Sequence, residues 1–142
     1  MQITLQEITH NELKTIFPLM QQLRPTLNFD DFSNKFSLMQ KEQNYKLFGF
    51  MQNGKFVALC GTMPFNVLYR ENCLYICDFV VDENLRGQGI GEACLLQIFK
   101  LAKNEGYQQI ELSSSFKRER AHKFYTEKMG FSKVSFVFVK NL

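Results

Sequence analysis

Three glycines in five residues, Gly87, Gly89 and Gly91, stand between an apolar run and an amphipathic stretch. The apolar run, Cys73–Val81, is interrupted by Asp78 and reads as a strand covered on both faces. The stretch that follows runs to about Glu105 and aligns Cys94, Leu95, Ile98, Leu101 and Ala102 as one stripe of a helix. Glu92 in its first turn, Lys100 and Lys103 near its end, and Gly106 after it agree with helix polarity and termination. The chain therefore passes from a buried strand through the turn Arg86–Gly91 into a helix. Amides at a helix start lack intrahelical partners and sit at the positive end of the dipole, so they bind phosphates. Glycine lets the main chain come close to phosphate oxygens and take left-handed geometry, which Gly87, Gly89 and Gly91 are expected to supply. A dinucleotide fingerprint would need glycine at position 92, which is Glu, and no Gly-Lys pair is followed by Ser or Thr as a Walker loop requires. A Rossmann fold would also place its phosphate turn early in the chain, not after residue 80.

The remaining pattern supplies the scaffold. Ile3–Ile8 reads as a short strand, and Thr9-His10-Asn11-Glu12 as a capping box opening a helix to Leu23, with Leu13, Ile16, Phe17 and Met20 on one face. Arg24-Pro25 ends it, and a second helix presents Phe29, Phe32, Phe36 and Met39 before stopping near Gln40. Tyr45–Met51 and Lys55–Leu68 are strands joined by a hairpin at Asn53-Gly54, with Gly61 or Pro64 as a bend. After the phosphate turn and its helix come a strand over Tyr107–Ser114, a helix over Glu119–Met129 closed by Gly130, and a last strand over Phe131–Val139. The order β-α-α-β-β-β-α-β-α-β predicts one α/β domain over residues 1–142, a mixed sheet flanked by helices.

Composition narrows the setting. The 142 residues are 45% hydrophobic and 22% charged, as in an ordinary globular chain, and no apolar run reaches the ~18 residues of a membrane span. The N-terminus shows no signal peptide, which points to a cytoplasmic protein with no membrane partner. A net charge of +3 favours an anionic ligand mildly and gives no case for nucleic acid. Cys60, Cys73, Cys77 and Cys94 read as reduced thiols, with no metal site, because residues 73 and 77 on one strand lie roughly 13 Å apart.

Phe79-Val80-Val81-Asp82-x-x-x-Arg86-x-x-Gly89-x-Gly91 resembles motif A of the GNAT superfamily of N-acetyltransferases, and Ala121-x-x-Phe124-Tyr125-x-x-x-x-Gly130-Phe131 resembles its second signature. The resemblance implies acetyl-CoA as co-substrate, its pyrophosphate on the amides of Arg86, Gly87, Gln88, Gly89, Ile90 and Gly91. It implies that the backbone of Phe79, Val80 and Val81 pairs with the pantetheine arm, and that Ser114, Arg118, Ala121, Phe124 and Tyr125 add coenzyme contacts. Arg118 stands where the family often has Asn.

Acetyl transfer requires an amine without its extra proton, a donor for the oxyanion and a proton for the departing thiolate. By resemblance Tyr125 is the acid on the thiolate; a core Tyr with a bonded hydroxyl is the bland alternative. Asp78, a lone carboxylate in an apolar strand, is the candidate base or amine-binding group, with a structural Asp, capping or salt-bridged to Arg86 or a lysine, as the other reading. Glu111 and Tyr75 are weaker candidates, and the Val80 N–H is the expected oxyanion donor. The cluster Lys117-Arg118-Glu119-Arg120-Ala121-His122-Lys123 is either a solvated helix face or a contact for the coenzyme's adenosine 3′-phosphate or for an anionic substrate. No cysteine sits in a nucleophile setting, so direct transfer to a primary amine of a small molecule is expected. The acceptor pocket is assigned to the first two helices and their link, Arg24-Pro25-Thr26-Leu27-Asn28. A non-catalytic acyl-CoA-binding regulator and a protein or peptide acetyltransferase stay open, and the last strand could pair across a homodimer.

Overall fold

The computed structural model describes residues 2–142 and divides into two compact units, one through Glu111 and one over Leu112–Leu142. The five-stranded mixed sheet has the order β1-β2-β3-β4-β5, from β1 (Thr4–Glu7), β2 (Lys46–Gln52), β3 (Lys55–Phe65), β4 (Cys73–Val81) and β5 (Gln109–Leu112). Successive pairs from β1 to β4 are antiparallel; β2, β3 and β4 follow one another through short connections, and β1 is joined to β2 through two helices. The β2–β3 hairpin turns through Asn53 and Gly54 at φ 52° and 77°, the positive pair that Asn-Gly allows. β3 ends at Phe65, short of the expected Leu68, and its bend lies at Gly61, where the register with β4 shifts.

Helix α1 (Leu13–Leu23) is entered through a short 3-10 turn, His10–Glu12, and the Thr9 N–H donates to the Glu12 carboxylate at 2.9 Å, the reach-back half of the capping box. Helix α2 (Phe29–Gln43) starts on Asn28, whose side chain accepts from the Asp31 N–H at 2.8 Å. It runs past Gln40 because Asn44 takes the left-handed stop. α1 and α2 bury Leu13, Ile16, Met20, Phe32 and Phe36 against Leu47, Leu59 and Val80 on one face of the sheet. The alternate strand residues Phe48, Phe50, Ala58 and Cys60 are buried too, so the opposite face is also covered. Helix α3 (Ile90–Asn104), which packs on β3 and β4, brings Ile90, Cys94, Leu95, Ile98 and Ala102 to this second layer.

In the C-terminal unit, α4 (Glu119–Lys123) continues as a π turn over Phe124–Lys128, and Gly130 at φ 78° ends it. The strand expected over Phe131–Val139 is not formed: residues 131–142 have no regular secondary structure. A strand exists only where a neighbour completes its ladder, and an apolar run records the tendency to pair without supplying the partner. Val134, Phe136, Val137, Phe138 and Val139 remain exposed. Among the described residues no helix is long and apolar enough to cross a membrane.

Candidate active site

The glycine turn is built by main-chain geometry. Asp82 ends β4 and accepts the Asn84 N–H on Oδ1 at 3.1 Å, nucleating a 3-10 turn over Glu83–Leu85. Gly87 and Gly89 then reverse the chain at φ 81° and 80°, and Gly89 is the N-cap of α3. The expectation that Gly91 also supplies left-handed geometry is corrected, because Gly91 lies within the first turn of α3. The first intrahelical bond runs from the Ala93 N–H to the Gly89 carbonyl at 3.1 Å, so the Ile90 and Gly91 amides precede it with no intrahelical acceptor. Arg86, Gly87, Gln88 and Gly89 are exposed, and nothing lies within 4 Å of where a Gly87 Cβ would stand. Arg86 donates from Nε to the Val81 carbonyl at 3.3 Å, bracing the turn against its strand.

Phe79, Val80 and Val81 pair with Cys60, Leu59 and Ala58 of β3. On the other edge β5 has four residues against nine in β4, and the Gln108 and Gln109 amides meet the Asn72 carbonyl, placing its start beside the start of β4. Strand pairing on that edge therefore stops short of Phe79–Val81, leaving main chain that a pantetheine arm can pair with.

The second feature is made of side chains. Gly61 pairs with Asp78 but Thr62 pairs with Ile76, so Cys77 is the extra residue of a β-bulge. Arg24, the C-cap of α1, donates from Nη2 to the Cys77 carbonyl and to Asp78 Oδ1, both at 3.0 Å. Tyr45 donates its hydroxyl to Asp78 Oδ2 at 2.8 Å. A Cβ on Gly61 would stand 2.7 Å from Asp78 Oδ2 and would overlap the Tyr45 hydroxyl, so only glycine leaves room for this bond. Burial, and then the Asp78 charge and hydrogen bond, hold the Tyr45 hydroxyl well above its usual pKa, so it stays a donor. The Asp78 side chain is 14% exposed and the Arg24 side chain 49%. Asp78 is thus ion-paired, but with Arg24 and not with Arg86 or a lysine, the partners expected from the sequence; Arg86 is turned to the Val81 carbonyl.

The last residues of α1 join the two features. Gln22 accepts the Glu83 N–H on Oε1 at 2.9 Å, two residues before Arg24 reaches Asp78. Glu111 is held by Arg70 Nε at 2.7 Å, and the Tyr75 ring packs 5.1 Å from Phe65. Burial pushes the Cys77 thiol up to about 12, with Asp78 adding and Arg24 opposing, and burial alone takes Cys94 to about 12. Cys60 and Cys73 are raised as well, first by burial, so none of the four offers a thiolate nucleophile at neutral pH.

In the C-terminal unit Tyr125 is 7% exposed, with its ring against Phe124 and Phe131 at centroid distances of 5.5 and 5.7 Å. Ala121 and Phe124 are half-buried on the same helical segment, whereas Lys117, Arg118, Glu119, Arg120 and Lys123 are exposed. His122, expected on the helix surface, is half-buried and donates from Nε2 to the Ser115 carbonyl at 2.8 Å. Ser114 Oγ is buried with no hydrogen-bond partner among the described residues.

The profile of the acetyltransferase (GNAT) family matches residues 9–131. The chain belongs to this family. The resemblance read from the glycine turn and the Tyr125 segment is thereby borne out, as are the fold class and the enzyme class, N-acetyltransferase. The chain is 32% identical over 124 residues to the uncharacterized N-acetyltransferase YhdJ of Bacillus subtilis (strain 168), covering 87% of each. It is 28% identical over 142 residues to the aminoalkylphosphonate N-acetyltransferase of Salmonella typhimurium, covering 97% of this chain and 90% of that one. The structure of the aminoglycoside N-acetyltransferase AAC(6')-Iy with CoA superposes with a TM-score of 0.83 at 14% identity, over 99% of this chain and 95% of that one.

Sequence reasoning missed Tyr45 as a partner of Asp78, and it placed Arg24 in the acceptor region without its partner. Neither has a local signal, since Tyr45 stands just before one strand and Arg24 closes a helix 54 residues before Asp78.

Proposed function

We propose that the protein transfers the acetyl group of acetyl-CoA directly to a primary amine of a small molecule. The carrying observation is the turn at the end of β4, where Gly87 and Gly89 in left-handed conformation leave the first amides of α3 open to an anion. The amides of residues 86–91 take the coenzyme pyrophosphate, and the open edge of Phe79–Val81 takes the pantetheine arm. The orphaned Ser114 hydroxyl, with Arg118, Ala121 and Phe124, adds coenzyme contacts. Relatives named as N-acetyltransferases, one of them for aminoalkylphosphonates, and a structural neighbour titled with CoA support this reading.

Asp78 receives the substrate ammonium. Its oxygens each accept one side-chain bond, and a carboxylate offers about four lone-pair sites, so acceptor capacity is left for the amine. Asp78, directly or through water, takes one proton from the ammonium and passes it to solvent. The nitrogen then attacks the thioester carbon, the C–N bond forms, the C–S bond breaks, and the second proton leaving nitrogen balances the one the thiolate gains. The Val80 N–H expected for the oxyanion is turned to β3, since the Asp82 N–H two residues on meets the Val57 carbonyl. An N–H on the open edge, that of Phe79 or Val81, serves the oxyanion instead, and Tyr125, assigned by its motif, returns a proton to the thiolate. The raised thiol pKa values favour direct transfer over an acetyl-cysteine intermediate. The exposed apolar residues over 134–139 support a homodimer, and the enzyme is assigned to the cytoplasm.

Release of free thiol from acetyl-CoA, followed across alkylamines, polyamines, aminoglycosides, amino acids, aminophosphonates and peptides, tests the proposal. Amine-dependent release with at least one small amine is expected. Tight acetyl-CoA binding with no release across the panel would instead mark a regulatory module, and release with peptides alone would mark a protein acetyltransferase.

A further inference from the structure

Two side chains from the end of α1 hold β4 on either side of residues 79–81, the segment whose outer edge is open. On one side Arg24 Nη2 places its two hydrogens on Asp78 Oδ1 and on the Cys77 carbonyl, both at 3.0 Å. On the other side Gln22 accepts the Glu83 N–H on Oε1 at 2.9 Å and donates from Nε2 to Asp82 Oδ1 at 3.4 Å. One side-chain amide thus pairs with two adjacent residues, which needs a donor and an acceptor together. Asp82 Oδ1 is also the acceptor that nucleates the turn over Glu83–Leu85, so Gln22 grips the corner from which the glycine turn starts. The helix behind it is anchored, with Ile16, Leu19 and Met20 buried. Gly87 and Gly89 give the turn its shape, but glycine has wide conformational freedom and does not hold a shape by itself. The direction of the turn has to be fixed from outside, by Arg86 on the Val81 carbonyl and by Gln22 on the corner.

We infer that Gln22 is a positioning residue of the reaction: it fixes the coenzyme turn against the same helix end that, through Arg24, holds Asp78. This rests on the reading of residues 86–91 as the coenzyme site and of Asp78 as the amine site. Gln22 touches neither substrate and acts through Asp82 and Glu83. Two consequences follow from the geometry. A turn that is already fixed does not have to be ordered by the coenzyme, so affinity is higher than for a loose one. The amine nitrogen has to meet the thioester carbon at about 3–3.5 Å, so a turn displaced relative to Asp78 slows transfer even when both substrates are bound.

The test compares wild type with Gln22→Met, which keeps the length of the side chain and makes neither bond. Gln97→Met is the control, since it removes a side-chain amide bond to the Ile3 carbonyl, 2.9 Å long, elsewhere in the fold. Acetyl-CoA affinity is measured by calorimetry, kcat and amine KM at saturating acetyl-CoA with an amine that the wild type accepts, and melting temperature alongside. Gln22→Met is expected to weaken acetyl-CoA by about five- to tenfold, the scale of one to two neutral hydrogen bonds. Its kcat should fall by about tenfold, with amine KM held within about twofold because Asp78 and Arg24 are untouched. Gln97→Met should move the melting temperature alone. If Gln22→Met does not fold, Gln22→Ala is judged by the same criteria. Wild-type acetyl-CoA affinity in the folded variant, an unchanged kcat, or equal losses in Gln97→Met overturns the inference and leaves the coenzyme site standing. Wild type that binds no acetyl-CoA, or binds it and acetylates no amine, overturns the functional reading and this inference with it.

Discussion

The two halves of the candidate site are made differently. The donor half is main chain: one continuous segment, residues 82–91, whose amides become available because two glycines take a conformation other residues resist. The acceptor half is side chains drawn from four places: Arg24 at the end of α1, Tyr45 before β2, Gly61 in β3 and Asp78 in β4. A local, backbone-made site is robust to side-chain change and sensitive to backbone change. A site assembled from distant side chains has the opposite sensitivities, and its specificity can be altered one residue at a time.

Substitutions can break that contrast or sharpen it. The largest effect is expected for Gly89→Val, a β-branched residue forced to φ 80° at the N-cap, which should weaken acetyl-CoA binding by on the order of 100-fold. Gly87→Ala also puts a side chain at positive φ, 81°, so it strains the turn although no described residue lies within 4 Å of the added methyl, and it should weaken binding less than the β-branched Gly89→Val. Calorimetry on folded variants checks both. Asp78→Asn should lower kcat/KM for the amine by about 10–100-fold with acetyl-CoA affinity retained, as loss of one charged partner predicts. If coenzyme affinity fell as well, the two halves would not be separable. Gly61→Ala should displace the Tyr45–Asp78 bond, destabilise the fold by about 1–3 kcal/mol in denaturant titration and lower amine kcat/KM by less than Asp78→Asn does.

The smallest effect is a slope. Cys77 and Cys94 have pKa values near 12 in the folded protein against 9.0 for a free thiol. Between those values the unfolded chain loses their protons and the folded chain keeps them, so stability should fall as pH rises from 9 toward 12. The fall should approach about 1.4 kcal/mol per pH unit for the fully buried Cys94 and be smaller for the partly exposed Cys77, whose charge solvent screens. Tyr45, also raised, adds to the loss above its free value of 10.0. Cys94→Ala should make the slope shallower, read by urea unfolding at a series of alkaline pH values.

What was legible in the sequence follows the same division. β4 matched its predicted bounds, Cys73–Val81, because burial on both faces writes a continuous apolar run. The phosphate turn was legible because glycine spacing reports backbone conformation directly, although only two of its three glycines needed positive φ. The Arg24–Asp78–Tyr45 cluster was not, since pairing between residues up to 54 apart leaves no periodic trace. The bulge at Cys77 was visible only as a bend expected near Gly61 on the opposite strand. Phe131–Val139 failed in the other direction, with strand composition but no strand, because pairing is a property of two segments and the pattern describes one.

The central claim is that main-chain amides of the turn hold the coenzyme pyrophosphate. An amide-resolved NMR titration of the isotopically labelled protein with coenzyme A measures this directly. The account predicts that the largest amide shifts fall on Gly87, Gly89, Ile90 and Gly91, saturating together. Saturable binding that leaves those four amides unmoved would contradict it.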